Sequence, residues 1–307
     1  MSSVYRGRLA PSPTGYLHPG HLSTFLTAWR RCRQADGILL YRMEDLDRSR
    51  CRPEFDRACL EDLALFLNWD EGPDSDGAMQ RSGPYRQSER HERGLYLEYW
   101  KRLRDGGFIY PAPYSRSEIQ KAARKTGVGP GTHGEQIFPP ILRHPTSEAL
   151  EFEEPGNMAF RFRVPDRSIL FDDVRLGRTG FHASRDFGDF LVWSPEGYPS
   201  YEFSVVVDDH LMRITEVVRG EDLLLSTARQ LLVYEALDWQ PPAFYHCALL
   251  RSRDGQRLSK RKGSTTLRGL LSAGWTVADL LNSLEEGFSP ALLDSISATK
   301  RPDSLEL

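Results

Sequence analysis

The chain has 307 residues, 39% of them hydrophobic and 27% charged, a composition of soluble folded proteins with length for one large or two ordinary domains. No apolar run reaches the roughly 18 residues of a membrane span, and no apolar signal core follows the N-terminus, so neither membrane insertion nor secretion is expected. Cys32, Cys51, Cys59 and Cys247 show no paired short spacing, which argues against a disulfide framework and for reduced thiols in the cytoplasm. The net charge of −3 neither advertises nor excludes a nucleic-acid partner, because phosphate contacts depend on local patches.

Residues 1–110 read as α/β. Arg8-Leu9-Ala10-Pro11-Ser12-Pro13-Thr14-Gly15 begins as the end of a buried strand, turns through prolines and glycines, and brings His18 and His21 to the mouth of a helix. The apolar face of that helix is Leu22, Phe25, Leu26 and Trp29, with Arg30, Arg31 and Arg33 in its later turns. A turn of this kind leaves backbone N–H groups and the positive end of the helix dipole facing outward, where phosphate binds. A second strand over 37–44 ends in Glu44, and Pro53 opens a helix with Phe55, Cys59, Leu60, Leu63, Phe66 and Leu67 on its apolar side. After a loop over 70–83, one further helix is expected from about Tyr85, bearing Leu95, Tyr96, Tyr99, Trp100 and Leu103. Alternating strands and helices predict a doubly wound parallel sheet whose ligands bind beyond the carboxyl ends of the strands, where Arg8 to Ser12 and Glu44 would stand.

From Pro111 the texture changes to frequent prolines and short β-like segments at 158–164 and 169–174, so 111–188 is expected to be an insertion between two halves of the sheet. The second half, 189–262, reads as strands over 189–193, 201–209 and 214–222 and a helix capped by Ser226 with Ala228, Leu231, Leu232 and Leu237. A last strand over 245–250 leads to the basic run Arg257-Leu258-Ser259-Lys260-Arg261-Lys262. Asp208 and Asp209 read as turning the chain, with magnesium as the alternative. Residues 263–307 read as a short helical segment, helical near 277–284.

His18-Pro19-Gly20-His21 and Arg257-Leu258-Ser259-Lys260-Arg261 resemble the HIGH and KMSKS signatures of class I aminoacyl-tRNA synthetases. The flanks Arg8-Leu9-Ala10-Pro11-Ser12-Pro13-Thr14-Gly15 and Arg42-Met43-Glu44-Asp45-Leu46-Asp47 look like the glutamyl branch. The resemblance covers roughly residues 5–265. It implies a class I Rossmann catalytic domain with an inserted α+β subdomain that would hold RNA, and formation of glutamyl-adenylate from ATP, Mg2+ and L-glutamate. On that resemblance His18, Gly20, His21, Leu258, Ser259 and Lys260 would bind ATP, with His18, His21 and Lys260 catalytic. Arg8 and Arg219 would face the substrate carboxylates, Glu44 the α-amino group, and Tyr201 would line the pocket, with Leu9, Ala10, Pro11 and Ser12 on the same edge. In-line attack of a carboxylate on the α-phosphorus of ATP asks mainly for positioning and for neutralisation of phosphate charge, which these residue types supply. The plainer alternatives are capping residues for His18 and His21, a structural ion pair for Arg8 with Glu44, a core aromatic for Tyr201 and a solvated charge run for 257–262.

The chain ends soon after the lysine run, too early for a large anticodon-binding domain, and 111–188 is too short to hide one. Val205 stands four residues after Tyr201, where some glutamyl-tRNA synthetases have asparagine. These features resemble the truncated paralogue family, the glutamyl-queuosine tRNA(Asp) synthetases, whose members would transfer glutamate to queuosine and grip the anticodon stem-loop of tRNA(Asp). Many members carry a zinc with a Cys-x-Cys pair; here Ala112 and Tyr114 fall at the thiol positions, and His133 and His144 do not complete a ligand set, so no zinc and no other structural metal is expected. A monomer is expected. Two other readings stand beside this one: a minimal glutamyl-tRNA synthetase charging a 3′ end, and a catalytically silent RNA-binding paralogue. Competent residues at His18, His21, Glu44, Tyr201, Arg219 and Lys260 oppose the last.

Overall fold

The computed structural model describes residues 4–73, 82–132, 134–250 and 266–285, and the chain divides into two compact units. The first takes Met1–Arg81, Val218–Glu221 and Cys247–Leu307; the second takes Ser82–Val217 and Asp222–His246. In the first unit β1 (Arg6–Leu9) leads through the proline corner into α1 (Pro19–Gln34) and back to β2 (Ile38–Tyr41), which pairs with β1 in parallel. Burial drives this unit: Leu9, Leu22, Leu39, Leu40 and Tyr41 are fully enclosed. The return from α1 to β2 requires Gly37, because a Cβ there would stand 2.7 Å from the Tyr5 carbonyl oxygen. α2 (Pro53–Ala64) opens on Pro53 as the sequence predicts, where a missing N–H costs nothing, and buries Ala58, Cys59 and Leu63.

The second unit begins with α3 (Gln87–Glu92) and α4 (Leu95–Asp105). The single helix expected here is two, because Gly94 at φ +73° takes the left-handed conformation that breaks the ladder. There follow β3 (Ile109–Pro111), α5 (Arg116–Thr126), β4 (Phe160–Phe162), β5 (Ser168–Asp173), β6 (Gly177–His182) and β7 (Leu191–Trp193). The strands β3, β4 and β7 form an antiparallel sheet in that order, and β5 and β6 an antiparallel hairpin. Next come α6 (Tyr201–Leu211), β8 (Glu216–Gly220), α7 (Leu224–Ala236) and β9 (Ala243–Cys247), completing a sheet of order β6-β5-β9-β8 in which β5 and β9 run parallel. The first unit ends its described part with α8 (Leu267–Ser272) and α9 (Val277–Glu285). The architecture is mixed α/β, with its antiparallel strands concentrated largely in the stretch that the proline texture marks as an insertion.

Three local expectations change. Residues 201–209, expected as a strand, form most of α6. Every residue from Glu202 to Asp209 is buried, so the segment lacks the one-sided period that separates helix from strand. Ser226 is not a cap: it lies inside α7, whose N-cap position is Leu223, and its hydroxyl donates to Glu202 Oε1 at 2.9 Å. Asp208 neither turns the chain nor faces solvent. Fully buried within α6, it accepts from Arg90 Nε at 2.6 Å, Gln87 Nε2 at 2.7 Å and the Tyr96 hydroxyl at 3.0 Å, which ties α6 to α3 and α4.

Candidate active site

The proline corner ends in a cap built from imidazoles. His18 is the N-cap of α1, and its Nδ1 accepts from the Gly20 N–H at 3.1 Å; in return the His18 N–H donates to Nδ1 of His21 at 3.3 Å. The two rings stack at 3.7 Å between centroids, 27° from parallel. Gly20 is required here because a Cβ on it would stand 2.9 Å from the His18 ring. A ring nitrogen that accepts from a backbone N–H carries no proton, so each neutral imidazole holds its proton on Nε2. The corner therefore combines two Nε2–H donors with a helix start that has no acidic residue in its first turn.

Both described flanks of segment 251–265 reach this corner. The Leu267 N–H donates to the Leu17 carbonyl at 2.8 Å, and the Leu250 side chain comes within 3.8 Å of where a Cβ on Gly20 would stand. Arg257, Leu258, Ser259, Lys260, Arg261 and Lys262 themselves lie outside the described residues, as does His133.

The carboxyl ends of β1 and β2 lie side by side. The Leu9 carbonyl accepts the Arg42 N–H at 2.8 Å, and the Pro11 carbonyl accepts the Glu44 N–H at 3.0 Å. Leu9 and Pro11 thus act through their backbone and have buried side chains, while Ala10 is half-buried and Ser12 exposed. Arg8 is buried and donates from Nη1 to the Val218 carbonyl at 2.9 Å, which sets Arg219, also buried, in the same neighbourhood. Arg42, fully buried, donates from Nη2 to Glu44 Oε1 at 3.1 Å. Glu44 thus has a local partner in Arg42. Arg42 is the residue that sequence reasoning left without a role, although its i, i+2 spacing from Glu44 past a strand end was a signal for it. Behind Glu44, burial pushes the Cys51 thiol up to about 11, with Asp45 and Asp47 adding to the effect, so it stays protonated and unreactive.

Tyr201 belongs to the second unit, where it opens α6 and is 37% exposed, so it is not a core aromatic; Val205, one turn on, is enclosed. At the positions where a zinc would be looked for, Ala112 packs with Tyr110 and Phe138 in an apolar cluster that Tyr114, Ile119 and Leu142 border. The Tyr114 hydroxyl pairs with His144 Nε2 at 2.7 Å, and His144 Nδ1 with Glu148 Oε2 at 2.7 Å. A methyl group and a phenol supply no thiolate, so these residues do not fit a zinc. Among the described residues no group of three or more His, Cys, Asp and Glu side chains stands ready to hold a metal, and no helix is long and apolar enough to cross a membrane.

Comparison with known proteins accords with this geometry. The profile of the tRNA synthetases class I (E and Q), catalytic domain, matches residues 5–285. The glutamyl-Q tRNA(Asp) synthetase of Symbiobacterium thermophilum is 42% identical over 275 residues, covering 87% of this chain and 81% of that protein. A glutamate–tRNA ligase 2 of Syntrophus aciditrophicus is 38% identical over 285 residues, covering 92% of this chain but 57% of that longer protein. The crystal structure of a glutamate tRNA ligase from Elizabethkingia meningosepticum in complex with its amino acid superposes with a TM-score of 0.71 at 31% identity, over 85% of this chain and 53% of that one. The chain belongs to the class I tRNA synthetases (E and Q), a family of ligases, and carries their catalytic domain.

Proposed function

We propose that the protein activates L-glutamate with ATP, taken as its magnesium complex, and transfers the glutamyl group to the queuosine base in the anticodon loop of tRNA(Asp). The observation that carries the first step is the burial of Arg8, Glu44 and Arg219 at strand ends of the same unit that presents the His18–His21 corner. Arginine forks suit the two carboxylates of glutamate, and Glu44, held by Arg42, suits its ammonium. A carboxylate oxygen of glutamate attacks the α-phosphorus, the bond to the β-phosphate oxygen breaks, and pyrophosphate leaves. The Nε2–H groups of His18 and His21 stabilise charge on the phosphates, as would Gly20 and the start of α1, with Leu258, Ser259 and Lys260 also assigned to ATP. Attack by the acceptor on the adenylate carbonyl then releases AMP. Leu9, Ala10, Pro11 and Ser12 frame the glutamate edge.

The transfer to queuosine rests on the likeness to the glutamyl-Q enzyme, 42% identical, against 38% for the glutamate–tRNA ligase, and on Val205. We further assign 1–110 and 189–262 to the two halves of the catalytic domain, 111–188 to a connective insertion and 263–307 to a short helical segment. The protein works in the cytoplasm as a monomer on the anticodon stem-loop, with no zinc.

ATP–pyrophosphate exchange with glutamate and magnesium, first without RNA and then with tRNA, tests this. Exchange without RNA supports the modifying enzyme and leads to transfer assays on queuosine-containing tRNA(Asp). Exchange only with tRNA favours a minimal glutamyl-tRNA synthetase, and no exchange in either case overturns both in favour of a silent RNA-binding paralogue.

A further inference from the structure

The helix α5 is exposed on one side and anchored on the other. Ala123 is buried, and Ile119 packs against the Tyr110, Ala112 and Phe138 cluster. At about 100° per residue, Lys121, Arg124 and Lys125 lie on the opposite half of the helix, while Arg116 stands at its start on the side of Ala123; all four are exposed. The four cations face one acid within the helix, Glu118. Its carboxylate is turned back to the helix start, where it accepts from the Ser115 N–H at 2.8 Å and the Ser115 hydroxyl at 2.7 Å. Among the described residues none of the four cations has an ion-pair or hydrogen-bond partner, whereas exposed arginines elsewhere in the same unit do: Arg167 with Glu235 at 2.6 Å and Arg178 with Asp172 at 2.9 Å.

Helix stability does not account for this arrangement. Arg124 and Lys125 in the last turn complement the helix dipole, but Arg116 at the first position opposes it, and Lys121 sits between the ends. The concentration of cations also runs against a chain whose net charge is −3. A helix of 11 residues is about 16 Å long, enough to lie along several successive phosphates.

We propose that the outward face of α5 is a docking surface for the sugar–phosphate backbone of an RNA, read by charge and not by sequence. This rests on the RNA-directed reading above and assigns part of its RNA contact to Lys121, Arg124 and Lys125. Labelled tRNA is titrated with the full chain and with the K121Q/R124Q/K125Q variant across a salt series, followed by fluorescence anisotropy. Glutamine keeps the helix propensity while removing the charge. The variant is expected to bind at least about tenfold more weakly near physiological salt, with the slope of log affinity against log salt flatter by about two, since each lost phosphate contact removes somewhat less than one.

Affinity and slope within error of the parent chain would overturn the proposal. So would weaker binding with an unchanged slope, or a lowered melting temperature that accounts for the loss. The single variant K121Q, in the middle of the outward face, should bind less tightly while melting no lower. Poly-L-glutamate bound as tightly as tRNA through the same three residues would assign the face to acidic protein instead. The assay is independent of catalysis: RNA-free exchange by the parent chain together with unaltered binding by the variant sinks this surface and leaves the activity standing. Absent tRNA binding by the parent chain sinks both.

Discussion

Two helices of this protein close their starts with the same reciprocal device and use different chemistry to do it. In α5, Ser115 and Glu118 cap each other's backbone, the common solution, and Glu118 sets a negative charge against the positive end of the dipole. In α1, His18 and His21 do the same job with imidazole nitrogens and bring no acid to the first turn. A serine and a glutamate would cap α1 at least as well. What histidines add is a second ring nitrogen that takes no part in the cap, at a helix start with no acidic residue in its first turn. One helix start carries its own acid, and the other does not. Capping and ligand binding are therefore not rival readings of His18 and His21: Nδ1 does the first, and the proposed phosphate contact would fall to Nε2.

The strongest way to break the comparison is to give α1 the cap of α5. The H18S/H21E variant should keep its melting temperature within a few degrees and lose pyrophosphate exchange by about 10²–10³-fold, the scale on which preorganised donors to developing charge act. Exchange retained within about threefold would reduce both histidines to caps.

A finer test separates the two nitrogens of one ring. In His18→Asn the amide oxygen replaces Nδ1, so stability should hold while exchange falls about tenfold or more. In His18→Gln the amide nitrogen reaches toward the Nε2 position, so exchange should be better preserved while the helix start loses about 1 kcal/mol. Nitrogen-15 spectra of the ring nitrogens check the tautomer directly, and a proton found on Nδ1 of His18 would contradict the assignment.

The smallest effect belongs to α5. Ser115→Ala should lower its local stability by about 1 kcal/mol, read by amide hydrogen exchange, without changing RNA-free exchange. The bonds from Ser115 hold the Glu118 carboxyl below its ordinary value. A group whose pKa is lowered on folding stabilises above its unfolded value, and this contribution is lost as pH falls through the folded one. The gap between Ser115→Ala and the parent should therefore be widest at neutral pH and narrow in acid, where the bond from the Glu118 N–H to the Ser115 hydroxyl still separates them; a gap that widens in acid would refute the assignment.

Much of the site was legible because its parts are local. The cap of α1 spans four residues, and Pro53 announces α2 by itself. The motif positions Arg8, Glu44 and Arg219 were found by likeness to a family, and burial then placed all three in one unit. Arg42 was missed because a charge next to a motif carries no role until its burial is known. The 201–209 run was misread because a segment enclosed on all sides has no polar face to betray its period.

The sequence by itself determined the corners, caps and charge runs, since these depend on backbone geometry and on neighbours within about one helical turn. Only the tertiary structure decided that Arg8 would rest on the carbonyl of Val218, 210 residues away, and that Asp208 would be enclosed by Gln87, Arg90 and Tyr96. Such pairings follow from which apolar surfaces meet when the chain collapses. A buried arginine or aspartate must then find its partners among whatever polar groups the packing brings near.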